Sequence, residues 1–126
     1  MSEQVLFSII ESPSHPNFSE VYKNLGFNEQ RFTTMRKAIT SLKKIRPNVI
    51  VAEFFYGFGN NYAGVNVSNL DVFLHSLQKY APDAKVIVIV NKQEKQYVSK
   101  LSDLFLLHKV LIHPVSQVEI ENALHF

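Results

Sequence analysis

Residues 86–90 read Val86-Ile87-Val88-Ile89-Val90, a β-branched run with no polar interruption. Unbroken apolarity over so short a stretch marks a strand buried on both faces, the hallmark of a parallel sheet covered by helices. Three similar runs occur elsewhere: Val5 to Ile10 (VLFSII), Val49 to Ala52 (VIVA) and Val110 to Ile112 (VLI). A weaker fifth strand fits Asn28 to Thr33, where alternation is poor.

Helix-length segments with apolar residues at helical spacing separate these runs. The first carries Phe18, Val21, Tyr22 and Leu25, opened by Asn17 with Glu20 three residues on and closed by Gly26. The second carries Met35, Ala38, Ile39, Leu42 and Ile45 before Pro47; the third carries Leu70, Phe73, Leu74 and Leu77, opened by Ser68 with Asp71 and stopped by Pro82. A fourth, less cleanly bounded, covers Tyr97, Val98 and Leu101 and reaches toward Leu104, and a fifth opens on the capping box Ser116…Glu119. The pattern is (βα) repeated five times, which predicts an α/β fold: a three-layer α/β/α sandwich over a parallel sheet. In such folds ligands and chemistry sit at the carboxyl ends of the strands, here Ile10 and Glu11, Glu53, Val90 and Asn91, and His113.

The chain of 126 residues suits one domain, and residues 1–126 are expected to form a single stand-alone unit. A hydrophobic fraction of 46%, with ten Phe and five Tyr, excludes intrinsic disorder. A formal charge of +2 is too small an excess to imply nucleic acid. The absence of cysteine excludes disulfides, cysteine zinc sites and a thiol nucleophile. No stretch approaches the roughly 20 apolar residues of a membrane span, and no signal peptide is evident, so a cytoplasmic protein is expected.

Arg46-Pro47-Asn48-Val49-Ile50-Val51-Ala52-Glu53, Ala81-Pro82-Asp83-Ala84-Lys85 before the fourth strand, and His113-Pro114-Val115-Ser116 together carry a family resemblance. Over essentially its whole length the chain resembles the receiver domain of bacterial response regulators, a CheY-like, flavodoxin-like fold. The resemblance implies a five-stranded sheet of order 2-1-3-4-5 and a cis peptide bond before Pro114. It also places Glu53 where the family has its phosphoacceptor aspartate. The metal-binding acid pair falls on Ile9 and Ile10, or on Ile10 and Glu11. The family's hydroxyl residue falls on Val90, its lysine on His113 and its aromatic switch residue on Val110. Mg²⁺ needs carboxylate oxygens that isoleucine lacks, and phosphoryl transfer needs charge neutralisation that valine and a short, usually neutral histidine supply poorly. The reading is a degenerate pseudo-receiver, not an enzyme, with no catalytic residue, no metal and no cofactor.

Two readings of Glu53 stay open: a carboxylate imitating a phosphorylated aspartate, or a solvated carboxylate at a strand end. A Glu53–His113 acid–imidazole pair is a third arrangement. Residues 54–67 make a βα loop far longer than the usual run of about 2 to 6 residues, rich in aromatics such as Phe55, Tyr56, Phe58 and Tyr62 among glycines. It reads as a lid on a small ligand, a partner-binding protrusion or a plug for the lost metal pocket. Leu104, Phe105, Leu106 and Leu107 cannot all face inward from one short element, so an exposed patch is expected there beside Tyr97 and Val110, on the face the family uses for dimerisation. The basic set Arg31, Arg36, Lys37, Lys43, Lys44 and Arg46 reads as a solvated helix face. His15, His75, His108 and His125 show no metal-ligand spacing. The expected function is a phosphorylation-independent adaptor acting through protein contacts in a two-component-type pathway, as a homodimer or with an unidentified partner protein. A flavodoxin-like small-molecule-binding domain with residues 54–67 as lid is the alternative; weak nucleic-acid binding through the second helix comes last, and neither nucleic acid nor membrane is expected as a partner.

Overall fold

The computed structural model describes residues 4–11, 17–56 and 70–125. Five strands, β1 (Gln4–Ile9), β2 (Phe27–Phe32), β3 (Val49–Glu53), β4 (Lys85–Val90) and β5 (Lys109–Ile112), form one parallel sheet of order β2-β1-β3-β4-β5. The helices between and after them are α1 (Ser19–Asn24), α2 (Met35–Leu42), α3 (Asp71–Tyr80), α4 (Lys95–Ser102), which follows a 3₁₀ turn at Lys92–Glu94, and α5 (Gln117–Ala123). Among the described residues no helix is long and apolar enough to cross a membrane.

The period-two alternation of the buried strands sorts their side chains into two cores. Phe7, Ile9, Ile50, Ala52, Val86 and Val88 pack with Leu42 of α2, Phe73 of α3 and Leu101 of α4. Leu6, Val49, Val51, Ile87 and Ile89 face the other way, against Tyr22 of α1 and Ile120 of α5. This is the three-layer sandwich expected from the sequence, with α1 and α5 on one side and α2, α3 and α4 on the other.

Asn48 ties the amino ends of the three central strands. Its side-chain Oδ1 accepts from Val5 N–H at 2.8 Å, its own N–H donates to Val5 O at 2.8 Å, and its carbonyl accepts from Lys85 N–H at 2.9 Å.

Several boundaries differ from expectation. α1 has Phe18, not Asn17, at its cap position and starts at Ser19, whose N–H donates to the Asn17 side chain at 2.8 Å. Gly26, at φ 87°, does end that helix in the left-handed conformation glycine tolerates. α3 begins at Asp71 with Leu70 at its cap; the expected cap, Ser68, lies outside the described residues. The Ser116–Glu119 capping box forms with both reciprocal bonds. β5 corrects the reading of its run as buried on both faces: it is an edge strand, with Lys109 and Val110 exposed and Leu111 and Ile112 half-buried.

At the entry to β5, His108 N–H donates to Val86 O at 2.8 Å and His108 Nδ1 accepts from Val86 N–H at 3.2 Å. An accepting Nδ1 is unprotonated. Burial, and then the positive charge of Lys85, push the His108 pKa below the ordinary histidine value. The unfolded chain therefore binds this proton at higher pH than the folded one, so the contribution is fully present above about pH 6.5 and is lost as pH falls through the window below it. We expect denaturation midpoints to drop on going from pH 7.5 to 5.5 by more in the wild type than in His108→Gln. Equal drops would show that His108 is not the titrating group.

Candidate functional site

The strand order reverses direction between β1 and β3, and the crevice at their carboxyl ends is where such sheets place ligands. Register sets the residues there: Ile9 lies opposite Ala52, so β3 extends one residue further to Glu53, which pairs with Ile89 of β4. Ile10 N–H continues the ladder onto Phe32 O at 3.1 Å. Glu53 is only 6% exposed, and its Oε1 accepts from Glu11 N–H at 2.7 Å. The solvated-carboxylate reading is thereby corrected: the extra methylene carries the carboxylate across the switch point to the backbone that follows β1. Glu11, half-buried beside it, has its pKa raised first by burial and then by the Glu53 charge.

Glu53, Val90, Asn91 and His113 do converge. With Phe54, Phe55 and Ile89 they line a hollow of ≈ 150 Å³ at the strand ends. Val90 is buried and presents no hydroxyl, His113 N–H donates to Val90 O at 2.9 Å, and Asn91 O accepts from Glu94 N–H at 3.0 Å at the 3₁₀ turn. The His113–Pro114 bond is cis. Among the described residues no group of three His, Asp or Glu side chains is placed to hold a metal ion.

The aromatic stretch after β3 divides sharply. Phe54 is buried in the core, Phe55 half-buried and Tyr56 exposed, while Phe58, Tyr62 and the rest of the lid reading lie outside the described residues. Tyr56 is clipped to α4. Its ring stacks on Tyr97 at 3.7 Å and 11°, Lys100 Nζ lies 5.5 Å and 5.8 Å from the two ring centres, and Tyr56 N–H donates to Glu94 Oε1 at 3.2 Å. Sequence reasoning placed Tyr56 in a loop and Tyr97 on a partner surface without bringing them together. The i, i+3 spacing of Tyr97 and Lys100 put those two on one helix face, but nothing local pointed to Tyr56.

The apolar block before β5 splits as an irregular turn allows. Leu104 and Leu106 are 56% and 75% exposed, and Val110 is 37% exposed. Phe105 was expected on the partner surface, but it is 5% exposed and packs edge-on against His75 at 4.9 Å, so it belongs to the core. The basic set gains acids through folding: Glu29 lies 3.9 Å from Arg31 and Asp83 lies 4.0 Å from Arg46, leaving Arg36, Lys37, Lys43 and Lys44 as the exposed cations of α2 and its end.

No family model matches the sequence, and no curated protein matches it. Solved structures do. The signal receiver domain of an HD domain-containing protein from Pseudomonas fluorescens Pf-5 matches over 98% of this chain and 92% of its own length, at a TM-score of 0.71 and 10% identity. The fold is that of a response-regulator receiver domain. The signal receiver domain of a putative LuxO repressor from Vibrio parahaemolyticus aligns over 97% and 87%, at 0.70 and 15% identity. A response regulator from Burkholderia pseudomallei, solved with a phosphorylated aspartic acid and a calcium ion, aligns over 98% and 67%, at 0.62 and 15% identity.

Proposed function

We propose that this receiver-fold chain is a phosphorylation-independent, non-enzymatic signalling module, in a two-component-type pathway of the cytoplasm, that acts by binding protein. The observation that carries this is the buried Glu53 carboxylate, bonded to Glu11 N–H across the switch point where a phosphoryl group and its metal would otherwise sit. Around it Ile10 and Val90 supply no ligand or hydroxyl, and His113 replaces an ammonium. Among the described residues, Leu104, Leu106 and Val110 on and before β5 are exposed apolar groups available for output. The hollow of ≈ 150 Å³ beside Glu53 is below the roughly 300–1,000 Å³ of most small-molecule sites, which favours signalling over ligand binding.

Titration with beryllofluoride or acetyl phosphate and Mg²⁺ is expected to leave the amide NMR spectrum unchanged. Specific shifts at Glu53, Asn91 and His113 would overturn the reading.

A further inference from the structure

Four exposed cations, Arg36, Lys37, Lys43 and Lys44, lie on α2 and the turn that ends it. Successive helical residues are about 100° apart, so these four and Thr40 fall within roughly a third of the circumference, along a stripe of about 12 Å. The opposite side of the helix carries Ala38 and Leu42, both buried in the core. Among the described residues none of the four has a carboxylate at ion-pair distance, whereas Arg31 and Arg46 to either side each have one. α3, which packs against α2, adds the exposed Lys79 and no exposed acid, its Asp71 being buried.

Two of the four stand where a helix least favours them. Arg36 and Lys37 occupy the first turn of α2, at the positive end of its dipole, where an acid stabilises and a cation opposes. α1, α3 and α5 carry Glu20, Asp71 and Glu119 at that place. In α2 the Thr34 hydroxyl accepts from Lys37 N–H at 3.2 Å, and no acid offsets the dipole. Local helix stability therefore does not account for the positive face.

The rest of the chain has the opposite sign. Of 13 Lys and Arg against 11 Asp and Glu, removing these four leaves a balance of −2. A short positive stripe thus stands on a mildly negative body, and this selects what can lie along it. A nucleic-acid duplex or a lipid surface extends beyond the stripe and meets like charge. The stripe also has no aromatic ring to stack a base, and the apolar side of α2 is committed to the core rather than free to enter a bilayer. A short acidic protein segment fits within the stripe and meets only complementary charge.

We propose that this face of α2 is a docking site for an acidic segment of a partner protein, running along Arg36, Lys37, Lys43 and Lys44. The proposal rests on the reading that the module works by protein contact, and it gives the chemistry of one partner.

Amide NMR titration with an oligoglutamate peptide at low salt tests it, beside an oligoglutamine peptide, a DNA duplex of equal charge and phosphatidylcholine vesicles carrying phosphatidylserine. Shifts centred on residues 34–44 are expected with oligoglutamate. Binding should weaken about tenfold or more in R36E/K37E, and likewise in K43E/K44E. R36E/K37E should also raise the melting temperature, because acids then sit at the positive end of the helix, so that loss of binding there is not loss of fold. Oligoglutamate that fails to bind, binds no better than oligoglutamine, or is indifferent to both double substitutions overturns the proposal. So does a duplex or vesicle that binds α2 more tightly than the peptide. Each of these failures leaves the signalling reading standing, whereas a beryllofluoride response overturns that reading and not the docking site.

Discussion

Phe54→Ala is expected to destabilise the fold by about 3–5 kcal/mol, the usual cost of deleting a buried aromatic. The ring is buried among the α2–α4 side of the core, and its backbone N–H donates to Ile89 O at 2.8 Å, prolonging the β3–β4 ladder past Glu53. Truncation would leave a void continuous with the hollow that Phe54 lines. Against a typical total of about 5–15 kcal/mol, this loss would lower the melting temperature by roughly 10–20 °C. Phe54→Leu, which keeps more of the volume, should cost much less. Thermal and urea denaturation measure both; a loss below about 1 kcal/mol in Phe54→Ala would mean that the ring is not part of the core.

Glu53→Ala should cost about 1–3 kcal/mol, because Glu11 N–H loses its carboxylate acceptor in a part-buried position. Glu53→Gln keeps an acceptor oxygen and should lose less. It also removes the charge that helps to raise the Glu11 pKa, leaving burial as the remaining cause, so the Glu11 titration should move part of the way back toward 4.5. The sign for stability follows. A carboxyl group with a raised folded pKa holds its proton more tightly in the folded chain, so its contribution falls as pH rises from about 4.5 through the folded value. That slope should be shallower in Glu53→Gln. Carboxyl NMR titration and denaturation at several pH values check the pair, and an unmoved Glu11 titration would show that the two carboxylates do not interact.

Most of the sheet was legible because its central strands are apolar on both faces, as Val86 to Val90 shows. The failures come from long-range context. Val110 to Ile112 reads like a buried strand, yet it ends at the sheet margin, and strand position is not written in local composition. Phe105 sits in a block without periodicity, so nothing local separated it from Leu104 and Leu106. Glu53, Val90, Asn91 and His113 lie at or just past the carboxyl ends of β3, β4 and β5, because the apolar runs that mark those strands stop there. The environment of Glu53 was not legible, since it depends on the backbone after β1. The Tyr56–Tyr97 stack was hidden for the same reason, joining segments far apart in sequence.

Asn48 bears on the order in which the molecule comes apart. Its bonds to Val5 and Lys85 run through one residue, so the amino ends of β1, β3 and β4 release together or hardly at all. β2 and β5 can fray without disturbing that knot. The domain is thus a firm central band with looser margins, and the leucine-bearing turn belongs to a margin, where contact with another molecule has the most slack left to take up.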